Sequence, residues 1–353
     1  MKVLIDTLGA PALSGGMRLY AEEVITSWSE AFPGDELTVV GGAWARSAFP
    51  TLANVRVVSW PNDSAPLRMF GQFVVAGLVY RATRSDALVS VSAIVSPLAS
   101  KSRRVCVVHD WRHMRNEHEF GFLQRLYRRL WVICLNAAGA TISISAKTDS
   151  ETKRFAPLAR RFVVENGRDH ARRWAPVVKA AGDPGTSNVV TFGHHLNKRP
   201  DLVIRAMAEI TTEVRPMLTV LGARGDTKVA LEQLAHQLGV EQYCAFPGFV
   251  ETDEYNRLIQ SATVVVLAST DEGFGLPVAE AQYFGIPVVT ASDSGLEEIH
   301  SDLFVSQPEP REMAAVIVEA IHSRTDKVQR ADQWSWAQTA SEIRRIVGVI
   351  RAR

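Results

Sequence analysis

The sequence predicts an α/β protein built on two parallel sheets, each covered by helices. Its length of 353 residues exceeds what a single hydrophobic core comfortably organises. Strand-like apolar runs alternate with helix-like runs along almost the whole chain. A break rich in proline and glycine covers 174–187, after which the alternation restarts. We therefore expect two Rossmann-like domains that face each other across a cleft.

The first predicted domain covers residues 1–170. Its strands are short runs of aliphatic residues, and the helices carry apolar residues at helical spacing. The predicted strands are 3–6, 37–40, 55–58, 87–91, 104–108, 141–145 and 162–165. The predicted helices are 16–28, 67–83 and 120–138. An Asn166-Gly167 turn then leads toward a linker at 171–187, because this dipeptide tolerates positive φ.

The second predicted domain covers residues 188–337. Its predicted strands are 188–192, 218–221, 243–246, 263–267 and 286–290. Its helices begin at Pro200, cover 229–238 and 253–261, and include a short run that ends at Gly285. A basic helix over 341–353 has one apolar stripe, which indicates only that it packs against something.

Bulk composition excludes several classes of protein. The formal net charge of +1 gives no reason to expect a nucleic-acid partner. The three cysteines lie far apart without metal-ligand spacing, which favours buried thiols in a reducing compartment. We see neither the apolar core of a signal peptide nor a run of about 18 apolar residues that could span a bilayer. The sequence therefore predicts a cytoplasmic protein, with peripheral contact at the inner face of a membrane as an open alternative.

The segment 271–280 is the most informative stretch of the chain. Two glycines allow backbone amides to approach a ligand closely, and Pro277 suits the first position of a helix. A helix that begins there directs unpaired amides and a positive dipole end at a phosphate. Glu272 and Glu280 flank this anion site, and carboxylates accept hydrogen bonds from hydroxyl groups. A diphosphate between hydroxyl-rich groups describes a nucleotide sugar. The predicted donor-binding residues of this segment are Gly273, Phe274, Gly275, Leu276 and Glu280.

The segment EGFGLPVAEAQYFGIPVV resembles the Glu-(x)7-Glu motif of retaining nucleotide-sugar glycosyltransferases of family 4, which have the GT-B architecture. The resemblance implies transfer of a hexosyl unit from a nucleoside-diphosphate sugar to a hydroxyl of a saccharide or lipid-linked acceptor. It also implies a role in bacterial cell-surface polysaccharide or glycoconjugate synthesis. Glu272 would contact sugar hydroxyls during catalysis, and Glu280 would hold the ribose. The last helix, 338–353, would cross back onto the first domain.

Lys198 is the predicted cationic partner of the diphosphate. It lies between a strand and a helix start, on the same side of its sheet as segment 271–280, and would help to stabilise the departing nucleotide. The family commonly has an arginine just after Gly193, where this chain has His194. Three interpretations stay open: His194 supplies a weaker hydrogen-bond donor, Arg199 takes the place of the arginine, or stabilisation of the leaving group depends mainly on Lys198.

Two further features lie in the first domain. Gly15-Gly16 resembles the glycine loop that approaches the donor phosphates or the acceptor in this family. His109 ends a strand and resembles the histidine that contacts the transferred sugar, and Asp110 could orient its ring. We predict Gly16 as a donor-binding residue and His109 as a catalytic residue, beside Glu272 and Lys198.

No cofactor is predicted, and the nucleotide sugar enters as a substrate. The chain has neither an Asp-x-Asp pair nor a His-Glu-x-x-His motif, so we expect no metal site. A basic amphipathic helix near 120–135 could contact an anionic membrane, although a helix that faces the core is the simpler interpretation.

Three other functions are compatible with parts of this pattern. A nucleotide-sugar epimerase of the same architecture would need no acceptor. A non-catalytic nucleotide-sugar-binding partner of a transferase would fit the His194 departure. A nicotinamide dehydrogenase is disfavoured, because no Gly-x-Gly-x-x-Gly fingerprint follows the first strand.

Overall fold

The structure is a computed structural model that describes residues 1–12, 14–115, 122–176, 187–323 and 334–352. The chain divides into two compact units. Unit 1 contains 1–167 and 334–353, and unit 2 contains 168–333. Residues 171–176, which were predicted to begin a linker, belong to unit 2, and the linker residues 177–186 lie outside the described ranges.

Unit 1 is built on a parallel sheet whose seven described strands have the order β3-β2-β1-β4-β5-β6-β7. The strands are β1 (Lys2–Asp6), β2 (Glu36–Gly41), β3 (Val55–Ser59), β4 (Ala87–Ser90), β5 (Arg104–Val108), β6 (Ala140–Ser143) and β7 (Arg161–Val163). The helices are α1 (Gly16–Ala31), α2 (Trp44–Ala48), α3 (Ala65–Phe70), α4 (Ala76–Ala82), α5 (Arg112–Arg115), α6 (Phe122–Ala137) and α7 (Ala146–Phe155). A π-helical segment, Gly71–Val75, joins α3 to α4.

Unit 2 is built on a second parallel sheet, whose six described strands have the order β10-β9-β8-β11-β12-β13. The strands are β8 (Asn188–Phe192), β9 (Met217–Leu221), β10 (Cys244–Gly248), β11 (Val264–Leu267), β12 (Val288–Ala291) and β13 (Phe304–Ser306). The helices are α8 (Pro200–Glu209), α9 (Gly225–Gln237), α10 (Thr252–Ser261), α11 (Leu276–Tyr283) and α12 (Pro310–His322).

The C-terminal helix α13 (Trp336–Arg351) belongs to unit 1 and packs against α1. The Trp336 ring meets the edge of Tyr20, with ring centroids 5.6 Å apart. Arg344 donates a hydrogen bond of 2.7 Å to the buried Asp35 carboxylate. Burial opposes ionisation of Asp35, but hydrogen bonds from Arg344, the chain's amino group and Trp28 lower its pKa to about 2. The apolar stripe of the predicted basic helix is therefore buried in the first unit.

Gly167 lies against the start of α13 and leaves no room for a side chain. A Cβ atom there would lie 2.3 Å from the Trp336 backbone nitrogen and 2.4 Å from its Cγ. We expect Gly167→Ala to lower the free energy of unfolding by about 1–3 kcal/mol, because rigid backbone must move. Gly348→Ala is the matched control, since no atom lies within 4 Å of its Cβ position. Urea unfolding should show the loss only for Gly167→Ala, and equal midpoints for the two variants would contradict the packing.

The sheets are covered on both faces, which explains why their strands read as continuous apolar runs. Every residue of β4, β6, β11 and β12 is buried. The predicted fold class, α/β with two Rossmann-like domains, is confirmed. The main elements that were not predicted from the sequence are α2, α7, β13 and α12. Helix α7 is mostly polar (AKTDSETKRF), so it has almost no apolar periodicity to detect.

No helix in the described part of the chain combines the length and the apolar character needed to cross a membrane.

Candidate functional site

The strand order of unit 2 creates a crevice at the carboxyl edge of its sheet. Strands β8 and β11 are parallel neighbours, but the chain leaves β8 toward β9 and leaves β11 toward β12. The loops that follow these two strands therefore diverge, and open α/β sheets bind ligands at such a switch point. Lys198 follows β8 and Glu272 follows β11. The topology thus places the predicted cation and the predicted carboxylate on the two sides of one crevice.

The loop between β11 and α11 is shaped by Gly275. Its φ of 77° is in the left-handed region, and a Cβ atom would lie 2.5 Å from Leu296 Cδ2. Helix α11 begins at the next residue, so Pro277 occupies the second helical position and not the predicted first. Either position tolerates a missing N–H, because the first amides of a helix have no partner inside it. These amides and the helix dipole favour an anion in front of α11.

His300 and Arg168 contact this loop through Phe274. Neither residue was predicted from the sequence to belong to the site. His300 Nε2 donates a 2.6 Å hydrogen bond to the Phe274 carbonyl. The Arg168 guanidinium lies 5.4 Å from the Phe274 ring centroid and donates to Ile299 O at 2.9 Å. Burial and the charge of Arg168 lower the pKa of His300 to about 4, so its ring is neutral near pH 7. The loop conformation is therefore fixed by groups outside the motif.

Lys198 and Glu272 form an ion pair in the crevice. The ammonium group is hydrogen-bonded to Glu272 Oε1, and Ser269 Oγ donates to the same oxygen at 2.5 Å. Both side chains are nearly buried, with exposed fractions of 12% and 11%. Burial opposes ionisation of Glu272, but Lys198, Ser269 and the field of His194 outweigh it and hold the pKa of Glu272 below its usual value. Since an ammonium has three donors, Lys198 can bind a phosphate oxygen while it contacts Glu272.

Arg199 connects the β8 loop to the end of β11. Its backbone is left-handed, with φ of 47°, directly before Pro200 opens α8. The guanidinium donates to the Ala268 and Ser269 carbonyls at 2.6 and 3.1 Å, and to the Asp293 carboxylate at 3.0 Å. These contacts already engage the guanidinium, so the structure gives Arg199 a bracing role. Its predicted contact with donor phosphates stays a prediction.

His194 and His195 lie side by side in the β8 loop, with ring centroids 4.9 Å apart. Gly222, which follows β9, packs closely against His194. A Cβ atom added at Gly222 would lie 2.9 Å from His194 Cβ. His194 is near enough to Glu272 to affect its ionisation. The predicted role of His194 as a donor contact is compatible with this position and stays a prediction.

Glu280 is buried on α11, and both of its carboxylate oxygens have protein partners. Oε1 lies 3.0 Å from His170 Nε2, and Oε2 accepts the Tyr255 hydroxyl. His170 is 110 residues away in the sequence, and no local motif points to it. Only the folded unit shows that these two side chains fix the carboxylate that was predicted to hold the ribose.

The predicted site residues of unit 1 lie at the carboxyl ends of its strands. Gly16 is the first residue of α1, and Gly15 before it has a φ of 51°. His109 Nε2 donates to the Val91 carbonyl at 2.8 Å. Asp110 accepts the backbone N–H of Arg112 at 3.1 Å, and its charge acts on the His109 ring. Its predicted role in orienting that ring stays a prediction. Burial lowers the pKa of His109, so the ring is neutral and a carbonyl fixes its tautomer.

The sequence predicted no metal site. Within the described ranges, no group of three or more histidine, cysteine, aspartate or glutamate side chains is arranged to hold a metal ion. The expectation that the reaction needs no metal ion stays a prediction.

The basic helix predicted near 120–135 corresponds to α6, and Phe120 lies outside the described residues. The Arg128 guanidinium lies 5.1 Å from the Trp131 ring centroid. Trp131, Tyr127 and Leu130 pack against the core of unit 1, as the simpler interpretation expects. Contact with a membrane stays a prediction.

Comparison with known families identifies the second half of the chain. The model described as "Glycosyl transferases group 1" matches residues 178–335, a range that contains the β8 loop, the β11 loop and α11. Residues 178–335 are therefore similar to the glycosyl transferases group 1 family. The predicted relationship to GT-B group 1 glycosyltransferases is confirmed.

Several sequence relatives of this chain are named as glycosyltransferases. The chain is 31% identical over 189 residues to the D-inositol 3-phosphate glycosyltransferase of Nocardioides sp.. That match covers 46% of this chain and 41% of the relative. The chain spans between 25% and 55% of the length of the curated relatives that it matches.

Solved structures with a similar fold cover nearly the whole chain. Sucrose-phosphate synthase from Thermosynechococcus elongatus matches with a TM-score of 0.76 at 17% identity, and the match covers 99% of each chain. Anabaena Alr3699/HepE in complex with UDP and glucose matches with a TM-score of 0.69 at 23% identity, over 100% of this chain and 97% of the other. At these identities the likeness shows a shared fold.

Proposed function

We propose that the chain is a retaining glycosyltransferase that moves a hexosyl unit from a nucleoside-diphosphate sugar to a hydroxyl of a saccharide or lipid-linked acceptor. The observation that carries the proposal is the Lys198–Glu272 ion pair beside the amino end of α11. This arrangement combines a cation and helix amides suited to a diphosphate with an ionised carboxylate suited to sugar hydroxyls. The named relatives and the Anabaena complex with UDP and glucose support a nucleotide-sugar donor.

The proposed reaction breaks the bond between the anomeric carbon and the diphosphate oxygen. Lys198 and the first amides of α11 stabilise the negative charge that develops on this leaving group. Glu272 contacts sugar hydroxyls and stabilises positive charge on the sugar ring. The acceptor oxygen bonds to the anomeric carbon on the face that the diphosphate leaves, and its proton passes to the departing phosphate oxygen. This front-face course is implied by the family resemblance, and it retains the anomeric configuration.

His109 and Gly16 complete the proposal from unit 1. The resemblance assigns His109 to the transferred sugar and Gly16 to the donor phosphates or the acceptor. Because the ring of His109 is neutral, it would act through hydrogen bonding and not through its charge. A role in bacterial cell-surface polysaccharide or glycoconjugate synthesis is the biological setting that we propose.

A thermal-shift screen with UDP, GDP, ADP and dTDP tests the donor. A ligand that binds only the folded protein raises its melting temperature, so one of these nucleotides should do so in the absence of acceptor. Transfer to an acceptor then separates the proposal from its rivals. An epimerase would interconvert sugar nucleotides without an acceptor, and a non-catalytic partner would bind donor without transfer or slow hydrolysis.

Lys198→Ala is expected to weaken binding of the preferred nucleoside diphosphate by about 1–3 kcal/mol, since a charged hydrogen bond is lost. This corresponds to roughly 5- to 150-fold in Kd, which isothermal titration calorimetry can measure. Lys228→Ala on α9 is the matched control, because Lys228 is paired with Glu232 on the exposed face of that helix. Equal affinity of the Lys198 variant and wild type would remove Lys198 from the diphosphate site.

Dialysis against EDTA is expected to leave the transfer rate within about twofold of the untreated enzyme, because Lys198 and the helix amides supply the positive field. The measurement is initial transfer rate before and after chelation, followed by re-addition of Mg²⁺ or Mn²⁺. Activity that vanishes with EDTA and returns with either ion would overturn the metal-independent mechanism.

A further inference from the structure

The Glu280 carboxylate lies in a buried polar cluster that the family motif does not explain. Glu280 is 4% exposed and His170 is 3% exposed. His170 Nε2 lies 3.0 Å from Glu280 Oε1, and the Tyr255 hydroxyl donates to Oε2. A carboxylate oxygen accepts hydrogen bonds, so this contact is satisfied when the His170 proton is on Nε2. Each oxygen of Glu280 is therefore held by a separate donor.

His170 and Tyr255 lie on different elements, and the Trp174 ring packs against both of them. His170 opens the 3-10 turn His170–Arg173 at the start of unit 2, and Tyr255 lies on α10. The Trp174 ring meets the His170 ring at 6.1 Å and the Tyr255 ring at 5.9 Å, in both cases edge to face. It also stacks on Phe284 at the end of α11, with centroids 5.6 Å apart. This packing restricts both donors to the orientations that meet the carboxylate.

The hydrogen-bonding capacity of Glu280 is only half used by these contacts. A carboxylate offers about four lone-pair sites, and His170 and Tyr255 take two. Burial, together with the Glu280 charge, raises the pKa of Tyr255 well above its usual value, so its hydroxyl remains a donor. Two acceptor sites on neighbouring oxygens match the two O–H donors of a vicinal diol. A carboxylate that is already held in one orientation binds such a diol with a smaller loss of conformational entropy.

We propose that His170 and Tyr255 are positioning residues. They hold Glu280, which the family resemblance assigns to the donor ribose, in the orientation in which it accepts the ribose hydroxyls. This proposal rests on the proposed function, because it needs a nucleoside diphosphate in the same site. It adds two residues, outside the motif, on which the contact between Glu280 and the ribose would depend.

Calorimetry with matched nucleotides tests the proposal. Wild type and variants are titrated with UDP and 2′-deoxy-UDP, with GDP and 2′-deoxy-GDP, and with inorganic pyrophosphate. Wild type should bind one ribonucleotide about tenfold more tightly than its deoxy counterpart, as expected for a hydrogen bond to a charged group. Tyr255→Phe and His170→Leu should reduce this ratio toward one, with pyrophosphate affinity unchanged. His170→Gln, which keeps a donor near the same place, should restore most of the ratio.

Controls separate positioning from general loss of structure. Tyr243→Phe makes the same change on a tyrosine next to the amino end of β10 and should leave the ratio at the wild-type value. Variants that keep the full ratio, or a wild type that binds a ribonucleotide and its deoxy form equally, would overturn the proposal and leave the diphosphate site intact. If no nucleoside diphosphate bound wild type, the proposed function itself would fail.

Discussion

Glu272→Gln is expected to lower kcat for glycosyl transfer by about 10²- to 10³-fold while the protein stays folded, a loss typical of removing one preorganised electrostatic contact. The substitution keeps the shape of the side chain and removes its charge. In wild type that charge is secured, because Lys198 and Ser269 hold the pKa of Glu272 below its usual value. The measurement is the initial rate of transfer at saturating donor, with nucleotide affinity measured in parallel.

Glu232→Gln is the matched control for this substitution, since Glu232 is an exposed glutamate on α9. It should transfer at the wild-type rate. A Glu272→Gln enzyme with near-normal kcat would remove Glu272 from the mechanism, and only its structural pairing with Lys198 would remain.

Gly275→Ala is expected to weaken nucleoside diphosphate binding by at least about tenfold. The residue has a φ of 77°, and a side chain in this region costs about 1–2 kcal/mol. The added Cβ would also press on Leu296. To relieve both strains the loop must move, and it carries the amides in front of α11. Calorimetric titration of the preferred nucleotide checks the loss.

Gly239→Ala isolates the backbone strain from the loss of the site. Gly239 also has a positive φ, of 65°, and no atom lies within 4 Å of its Cβ position. It follows α9, at the amino end of the sheet. Its alanine variant should lose similar stability and keep nucleotide affinity. If both variants bound nucleotide as well as wild type does, the amides before α11 would not form the anion site.

How much of the site was predictable depended on how local its parts are in the sequence. The loop and helix of 271–280 could be predicted because glycines, proline and flanking glutamates are contiguous. Strand topology predicted that Lys198 lies at the same edge as segment 271–280, but not that it pairs with Glu272, 74 residues away. Both follow neighbouring parallel strands, and the carboxyl ends of such strands lie at one edge.

The residues that hold the motif in place could not be predicted in this way. His300 bonds to the carbonyl of a residue 26 positions earlier, and His170 bonds to a glutamate 110 positions later. A histidine that donates to a carbonyl or a carboxylate has no characteristic spacing, so only the folded unit reveals it. Arg199 is a further case: its position suggested a phosphate contact, which stays a prediction, but nothing in the sequence indicated its contacts with the Ala268 and Ser269 carbonyls.

The anion site in front of α11 can be tested with a crystal structure of the protein soaked with the nucleoside diphosphate that stabilises it most. We expect the diphosphate to lie against the first amides of α11, with a phosphate oxygen within hydrogen-bonding distance of Lys198 Nζ. A bound nucleotide whose diphosphate lies elsewhere, with the amides before Pro277 in contact with solvent, would contradict it.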